Sequence, residues 1–331
     1  MPSPGATLLS IASLLANTRN IISPASAFVQ PIVSHHGGDR TAFVPTMIPA
    51  GRAAGSYCRS NRQNVRVTIM SATTGLNKQT SADTYEVLRG CKVKRASNGD
   101  EISLVDAWVA SPGKKTIVAF FTHTADFNSW EYAQKLRHYL PQIDDAGVGV
   151  VGVSLGTVDA ARDFCAETGF PLDNMFMDEV GAAYHALGFS NGFEPRLPGG
   201  KKLNPYLRLL PMLAGIGSPG TIQAVLRGYV GDPNANTDWI SSAMTIVDNK
   251  EFEILGKEGA RPLELATLRL QNMRQIVTKW NKLAPPNKEL ITQQGGTVVF
   301  QGREPIYSFK DKGILVYTDV LGMLQEIGVG I

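Results

Sequence analysis

The sequence predicts an α/β fold: a sheet whose central strands run parallel, with helices on both faces, three layers in all, carrying a helical insertion. Three observations predict it. Residues 116–121 and 148–155 are apolar runs rich in β-branched and aromatic side chains, with no polar alternation, as expected of strands covered on both faces. Between them Tyr132, Ala133, Leu136, Tyr139, Leu140 and Ile143 recur at spacings of three and four, an amphipathic helical period. Strands joined through a helix run parallel by a right-handed crossover. Third, Pro195, Pro198, Gly199 and Gly200 open a stretch that breaks the strand and helix alternation over about residues 190–263.

The elements follow in order. Residues 90–94 and 101–104 flank Asn98-Gly99-Asp100, a hairpin whose turn residues tolerate positive φ. The strand at 116–121 leads through a polar segment, Thr122 to Ser129, into a helix read from Trp130. After the strand at 148–155 come a helix at 158–168, a short strand at 175–177 and a helix near 181–187. Inside the insertion, helical segments at 206–216 and 221–230 surround Gly217-Ser218-Pro219-Gly220; about sixty residues with two internal breaks bury too little to stand alone as a domain. A longer helix starts at Pro262, a favoured first-turn position for proline, and runs to about Leu283. A terminal hairpin, 297–300 and 305–309 about Gln301-Gly302, is closed by a helix at 318–327.

The first eighty residues have another character. The chain carries 32 Lys and Arg against 29 acids, yet residues 1–82 hold seven bases and a single acid, Asp39, which leaves the remainder with 25 bases and 28 acids. The basic character belongs to the N-terminus, and the body offers no electrostatic footprint for nucleic acid. Residues 8–16 form an apolar run of signal-peptide length, too short to span a bilayer. Ala25 and Ala27 make a small-residue cleavage pattern before Phe28, and an acid-poor stretch rich in Ser, Thr and Arg follows, the composition of a transit peptide. The literal Ala-Ser-Ala-Phe junction resembles the bipartite presequences of algae with secondary plastids. The expected organisation is a signal peptide at 1–27, a plastid transit peptide and linker at 28–75, and a folded domain at 84–330. The expected location is the chloroplast of a secondary plastid, in the stroma, with no transmembrane segment in the mature chain.

A hairpin, a βαβ unit whose first strand passes through a short loop into a helix, an insertion and a final ββα unit make up a thioredoxin-like order of elements. The segments Leu88-Arg89-Gly90-Cys91, Phe120-Phe121-Thr122-His123, Ser129-Trp130-Glu131, Leu226-Arg227-Gly228-Tyr229, Leu265-Ala266-Thr267-Leu268-Arg269 and Thr292-Gln293-Gln294-Gly295-Gly296 sharpen it. Together they resemble the peroxiredoxin-like proteins of the AhpC/TSA antioxidant-enzyme family of plastids and cyanobacteria, over about residues 84–327. That resemblance implies a loop of the type R-H-F-G-C-x-x-C-W-E, whose first cysteine sits at a helix N-terminus, where the dipole and free N–H groups favour the thiolate. Here His123, Trp130 and Glu131 match, while Asp126 stands at the first cysteine position and Ser129 at the second.

Both substitutes are good helix-capping residues, so the loop retains a physical reason to keep its shape without its nucleophile. A serine hydroxyl with no paired base does not replace a thiolate. The remaining thiols of the body are Cys91, opening the first strand, and Cys165, on the apolar side of its helix with Ala161 and Phe164; either would have to serve a relocated redox centre. His123, Asp126 and Glu131 lack convincing metal-ligand spacing. The reading is therefore a thioredoxin-fold, peroxiredoxin-like protein with a degenerate loop that acts by binding or regulation, with no cofactor and no metal. The alternative is a thiol-dependent peroxide or disulfide reductase working through Cys165 or Cys91. Tyr206, Leu209, Leu210, Met212 and Leu213 offer an apolar surface for a protein partner within 205–230.

Overall fold

The computed structural model describes residues 78–195, 197–230, 237–246 and 262–331. The segments read as signal and transit peptide lie outside the described residues, as do parts of the insertion.

The chain opens with α1 (Lys78–Arg89), followed by β1 (Lys92–Arg95), β2 (Glu101–Ser103) and β3 (Lys115–His123). Next come α2 (Phe127–Asp145), β4 (Gly149–Leu155), α3 (Val158–Thr168), β5 (Met175–Met177) and α4 (Ala182–Ala186). The insertion supplies α5 (Pro205–Leu213), α6 (Thr221–Val230) and α7 (Asp238–Ile246), a helix the sequence reading lacked, and α8 (Pro262–Thr278), α9 (Trp280–Leu283), β6 (Gly296–Gln301), β7 (Glu304–Lys310) and α10 (Val320–Glu326) complete the order. The seven strands among the described residues form one sheet in the order β2-β1-β5-β4-β3-β6-β7. β3, β4 and β5 are parallel, while β6 pairs antiparallel with β3 through Ile117 and Val299.

Alternation along the strands builds two cores. Ile117, Ala119 and Phe121 of β3 join Met175, Met177 and Val299 under α2, α3, α9 and α10. Val118 and Phe120 face the other way, with Val153, Phe176 and Phe300, against α1 and α4. A sheet with an apolar set on each face needs helices on both, and the result is a three-layer αβα arrangement.

Three boundaries differ from the sequence reading. α1 begins six residues before Thr84; with only Tyr85 and Leu88 buried on its described part, it offers too sparse an apolar stripe to be read. β3 continues to His123 and α2 starts at Phe127, so Trp130 lies inside the helix. The long helix breaks at Lys279 (φ −106°, ψ 13°), which divides it into α8 and α9.

Candidate functional site: the loop between β3 and α2

The loop is only residues 124–126, shorter than the polar segment Thr122 to Ser129 suggests. Asp126 takes an extended conformation (φ −104°, ψ 126°) and its carboxylate accepts from the Asn128 N–H, which makes it the N-cap of α2. Its backbone N–H donates to the His123 carbonyl at 2.9 Å, and the Thr122 hydroxyl donates to its Oδ2. Ser129, in the first turn and 1% exposed, lies 2.7 Å from the Thr122 hydroxyl. Thr122 has one proton and gives it to Asp126, so Ser129 must be the donor to Thr122. The protons run in one direction, Ser129 to Thr122 to Asp126.

His123 is buried beside this chain of hydroxyls. Its Nε2 lies 3.1 Å from the Ile291 carbonyl, and a carbonyl only accepts, so Nε2 carries the proton and Nδ1 presents a lone pair. Nδ1 has no hydrogen-bond partner. Burial pushes this imidazole below its usual range, against the pull of Asp126 and the Ile291 bond. The ring meets Trp280 of α9 edge-on.

Trp130 and Glu131 fix the loop from the helix side. The indole Nε1 donates to the Thr124 carbonyl at 2.8 Å, and Thr124 Oγ1 donates to the Leu283 carbonyl at 2.6 Å. Glu131 is 3% exposed and grips Arg269 of α8 with both oxygens, at 2.7 Å and 3.2 Å. Tyr317 donates to Glu131 at 2.6 Å, and Lys135 lies 3.3 Å away. Burial alone would raise the Glu131 carboxyl, but Arg269, Lys135 and the hydrogen bonds bring it down to about 2. One turn along, Gln134 and Asn272 exchange amide hydrogen bonds of 3.1 Å and 3.0 Å. Arg269 reaches Glu131 by crossing α6 at Gly228, where a Cβ would stand 1.9 Å from its Nη1. The two similarity segments around Gly228 and Arg269 thus meet at one point.

A second carboxyl completes the surroundings. Asp311 follows β7, donates its N–H to the Gly295 carbonyl at 3.1 Å and leaves Oδ1 without a partner. Burial, and then the charge of Asp126, raise it well above the carboxylate range. From the same segment Leu315, at φ +61°, donates its N–H to Asn128 Oδ1 at 2.6 Å. Sequence reasoning found His123, Asp126, Ser129, Trp130 and Glu131 but missed Thr122, Asn128, Asp311 and Tyr317 as their partners.

Neither cysteine reaches this loop as an activated thiol. Cys165 lies in the core beneath α3, 6% exposed, and burial pushes its thiol up to about 12. Cys91 lies in the core on the other face of the sheet, with its thiol against the Val87 carbonyl and raised by burial and by Asp178. Among the described residues no group of three or more His, Cys, Asp and Glu is placed to hold a metal ion.

Comparison with known proteins completes the picture. The chain is 27% identical over 152 residues to the thioredoxin-like protein AAED1, chloroplastic, of Arabidopsis thaliana, a match covering 44% of this chain and 58% of that protein. It therefore spans less than two thirds of this relative's length. Structures of peroxiredoxin Q from Xanthomonas campestris, one of them a cysteine-to-serine mutant, align at 21% and 20% identity over 36% of this chain and 69% of theirs, with a TM-score of 0.28. A family model described as AhpC/TSA antioxidant enzyme matches residues 135–313, 179 of 331 positions. The chain belongs to the AhpC/TSA family, with a peroxiredoxin-like, thioredoxin-type fold.

Proposed function

We propose that this protein is a plastid member of the AhpC/TSA family that acts by binding or regulation and no longer performs thiol chemistry at the loop. The observation that carries the reading is the replacement of the reacting position by Asp126, a helix cap held by Thr122 and Asn128. A carboxylate is a feeble nucleophile toward peroxide, and Ser129 gives its proton to the Thr122 hydroxyl and touches no base directly. The reading is strengthened by the state of Cys165 and Cys91, since a thiol raised by burial holds little thiolate at neutral pH.

The test is an NADPH-coupled peroxidase assay with thioredoxin or glutathione as reductant, on the full chain and on its Asp126→Cys, Cys91→Ser and Cys165→Ser variants. The unmodified protein should show no turnover above the uncatalysed rate, and Asp126→Cys should gain a reactive thiol. Turnover by the unmodified protein that Cys165→Ser or Cys91→Ser abolishes would establish the relocated-thiol reductase instead.

The location rests on the Ala-Ser-Ala-Phe junction, on the acid-poor segment after it and on the chloroplastic relative. Residues 1–27 and 28–75 serve as successive address segments, and the domain from residue 84 onward remains in the stroma. In a fluorescent fusion, Phe28→Ala should hold the protein in an earlier compartment; unchanged plastid import would refute the assignment.

A further inference from the structure

The insertion presents two apolar stripes that nothing else in the described structure covers. On α5, Arg208 and Met212 turn inward, and Arg208 is pinned between Glu194 and Glu289, which leaves Leu207 and Leu210 exposed on the opposite side. On α6, Thr221 and Gly228 are buried, while Ile222, Leu226 and Tyr229, spaced by four and three, are 49%, 55% and 58% exposed. Between the helices Ile216 is 56% exposed. The stripes adjoin, because the Ile222 side chain packs against Gly215, where a Cβ would stand 3.4 Å from its Cδ1. Monomeric proteins rarely leave a continuous apolar patch of this kind without a use for it.

Charge selects the occupant. The 36 residues from 195 to 230 contain no Asp or Glu, but they include Arg196, Lys201, Lys202, Arg208 and Arg227. Residues 83–331 carry 28 acids over 249 positions, a density that would give about four in such a window. Lys201, Lys202 and Arg227 are exposed, at the start of the hairpin and one position from Leu226. The acids beside α5, Glu194 and Glu289, are both turned onto Arg208, so the free charges next to the stripes are Lys201, Lys202 and Arg227, and apolar stripes accompanied by Lys and Arg are the signature of helices lying in the plane of an anionic membrane surface. No helix among the described residues is long and apolar enough to cross a membrane, so the contact is interfacial.

We propose that the α5–α6 hairpin docks this protein on an anionic lipid surface, with Leu210, Ile216, Ile222, Leu226 and Tyr229 entering the headgroup boundary and Lys201, Lys202 and Arg227 facing lipid charge. The proposal does not depend on the chemistry of the loop, so the peroxidase assay and the lipid assay fail independently.

The test places an environment-sensitive fluorophore at residue 226 of the full chain, in the Leu226→Cys, Cys58→Ser protein, and adds vesicles of phosphatidylcholine with or without 30% phosphatidylglycerol (a composition set on the order of natural anionic surfaces). A label at position 226 reports this hairpin and not the basic N-terminus. The emission should shift to the blue with the anionic vesicles and be quenched by nitroxide lipids, while the same label at exposed Val180 stays unchanged. Reversing Lys201, Lys202 and Arg227 to Glu should weaken the response about tenfold or more. No shift at residue 226, or an equal shift with neutral vesicles and with the reversed charges, overturns the proposal. A blue shift that grows with protein concentration without vesicles, accompanied by a dimer mass in light scattering, assigns the face to a second copy instead.

Discussion

Glu131 is a buried charge whose partners all come from elsewhere in the chain or the next turn of its own helix. A carboxylate with 3% exposure is tolerable only when its charge is met, and Arg269, Lys135 and Tyr317 meet it. Removing the guanidinium alone leaves a buried charge behind. Arg269→Met should therefore cost about 3 kcal/mol, read as a lower urea midpoint, and adding Glu131→Gln should recover part of that loss. Gly228→Ala should act on the same pair from the other side, by pushing Arg269 off its path at about 1–3 kcal/mol. Equal stability of all these proteins would mean that the network does not hold the loop. None of this was visible in the sequence: Arg269 is 138 positions from Glu131, and no local pattern joins them.

Elements were legible where their signal was local. The doubly covered strands, the Asn98-Gly99 turn with Gly99 at φ +84°, and the hairpin of β6 and β7 all follow from period and turn chemistry. The start of α2 was not, because Phe127, Asn128 and Ser129 look like loop residues until the Asp126 carboxylate is seen to accept from the Asn128 N–H. The apolar set read on α5 as a partner surface divides between core and surface. Met212 is fully buried and Tyr206 packs against Trp280, whereas Leu210 is exposed and the stronger stripe, on α6, lay outside the five residues chosen from sequence. A single helix has two plausible faces when its apolar residues outnumber one stripe, and α5, with Leu207, Leu209, Leu210, Met212 and Leu213 in nine residues, is such a helix.

Over the whole molecule, two buried carboxyls should set opposite slopes in the dependence of stability on pH. Glu131 is lowered from 4.5 to about 2 in the fold, so the stability it contributes is complete above its unfolded value and is lost as pH falls toward 2. Asp311 is raised well above 3.8 by burial and by Asp126. Its contribution is complete below the unfolded value and declines as pH rises from about 4 toward the folded one. The neutral amide of Asp311→Asn resembles the protonated acid in size and charge. Urea midpoints between pH 4 and 8 should thus fall less steeply for Asp311→Asn than for the parent, while the acid limb below pH 4 stays the same. Parallel curves would show that Asp311 does not carry this slope.

The clasp on Glu131 also has a consequence in time. Its arms come from residues 138 and 186 positions along the chain, so they can close only after long stretches of backbone have found their places, and closing long loops costs entropy before any contact repays it. The parallel strands and α2 can associate earlier through near neighbours. The clasp is then absent from the rate-limiting barrier and acts as a latch on the finished structure. Arg269→Met should leave the refolding limb of a chevron almost unmoved and place nearly all of its effect in faster unfolding, so the residue that holds the β3–α2 loop in shape would govern how long the protein lasts and not how quickly it forms.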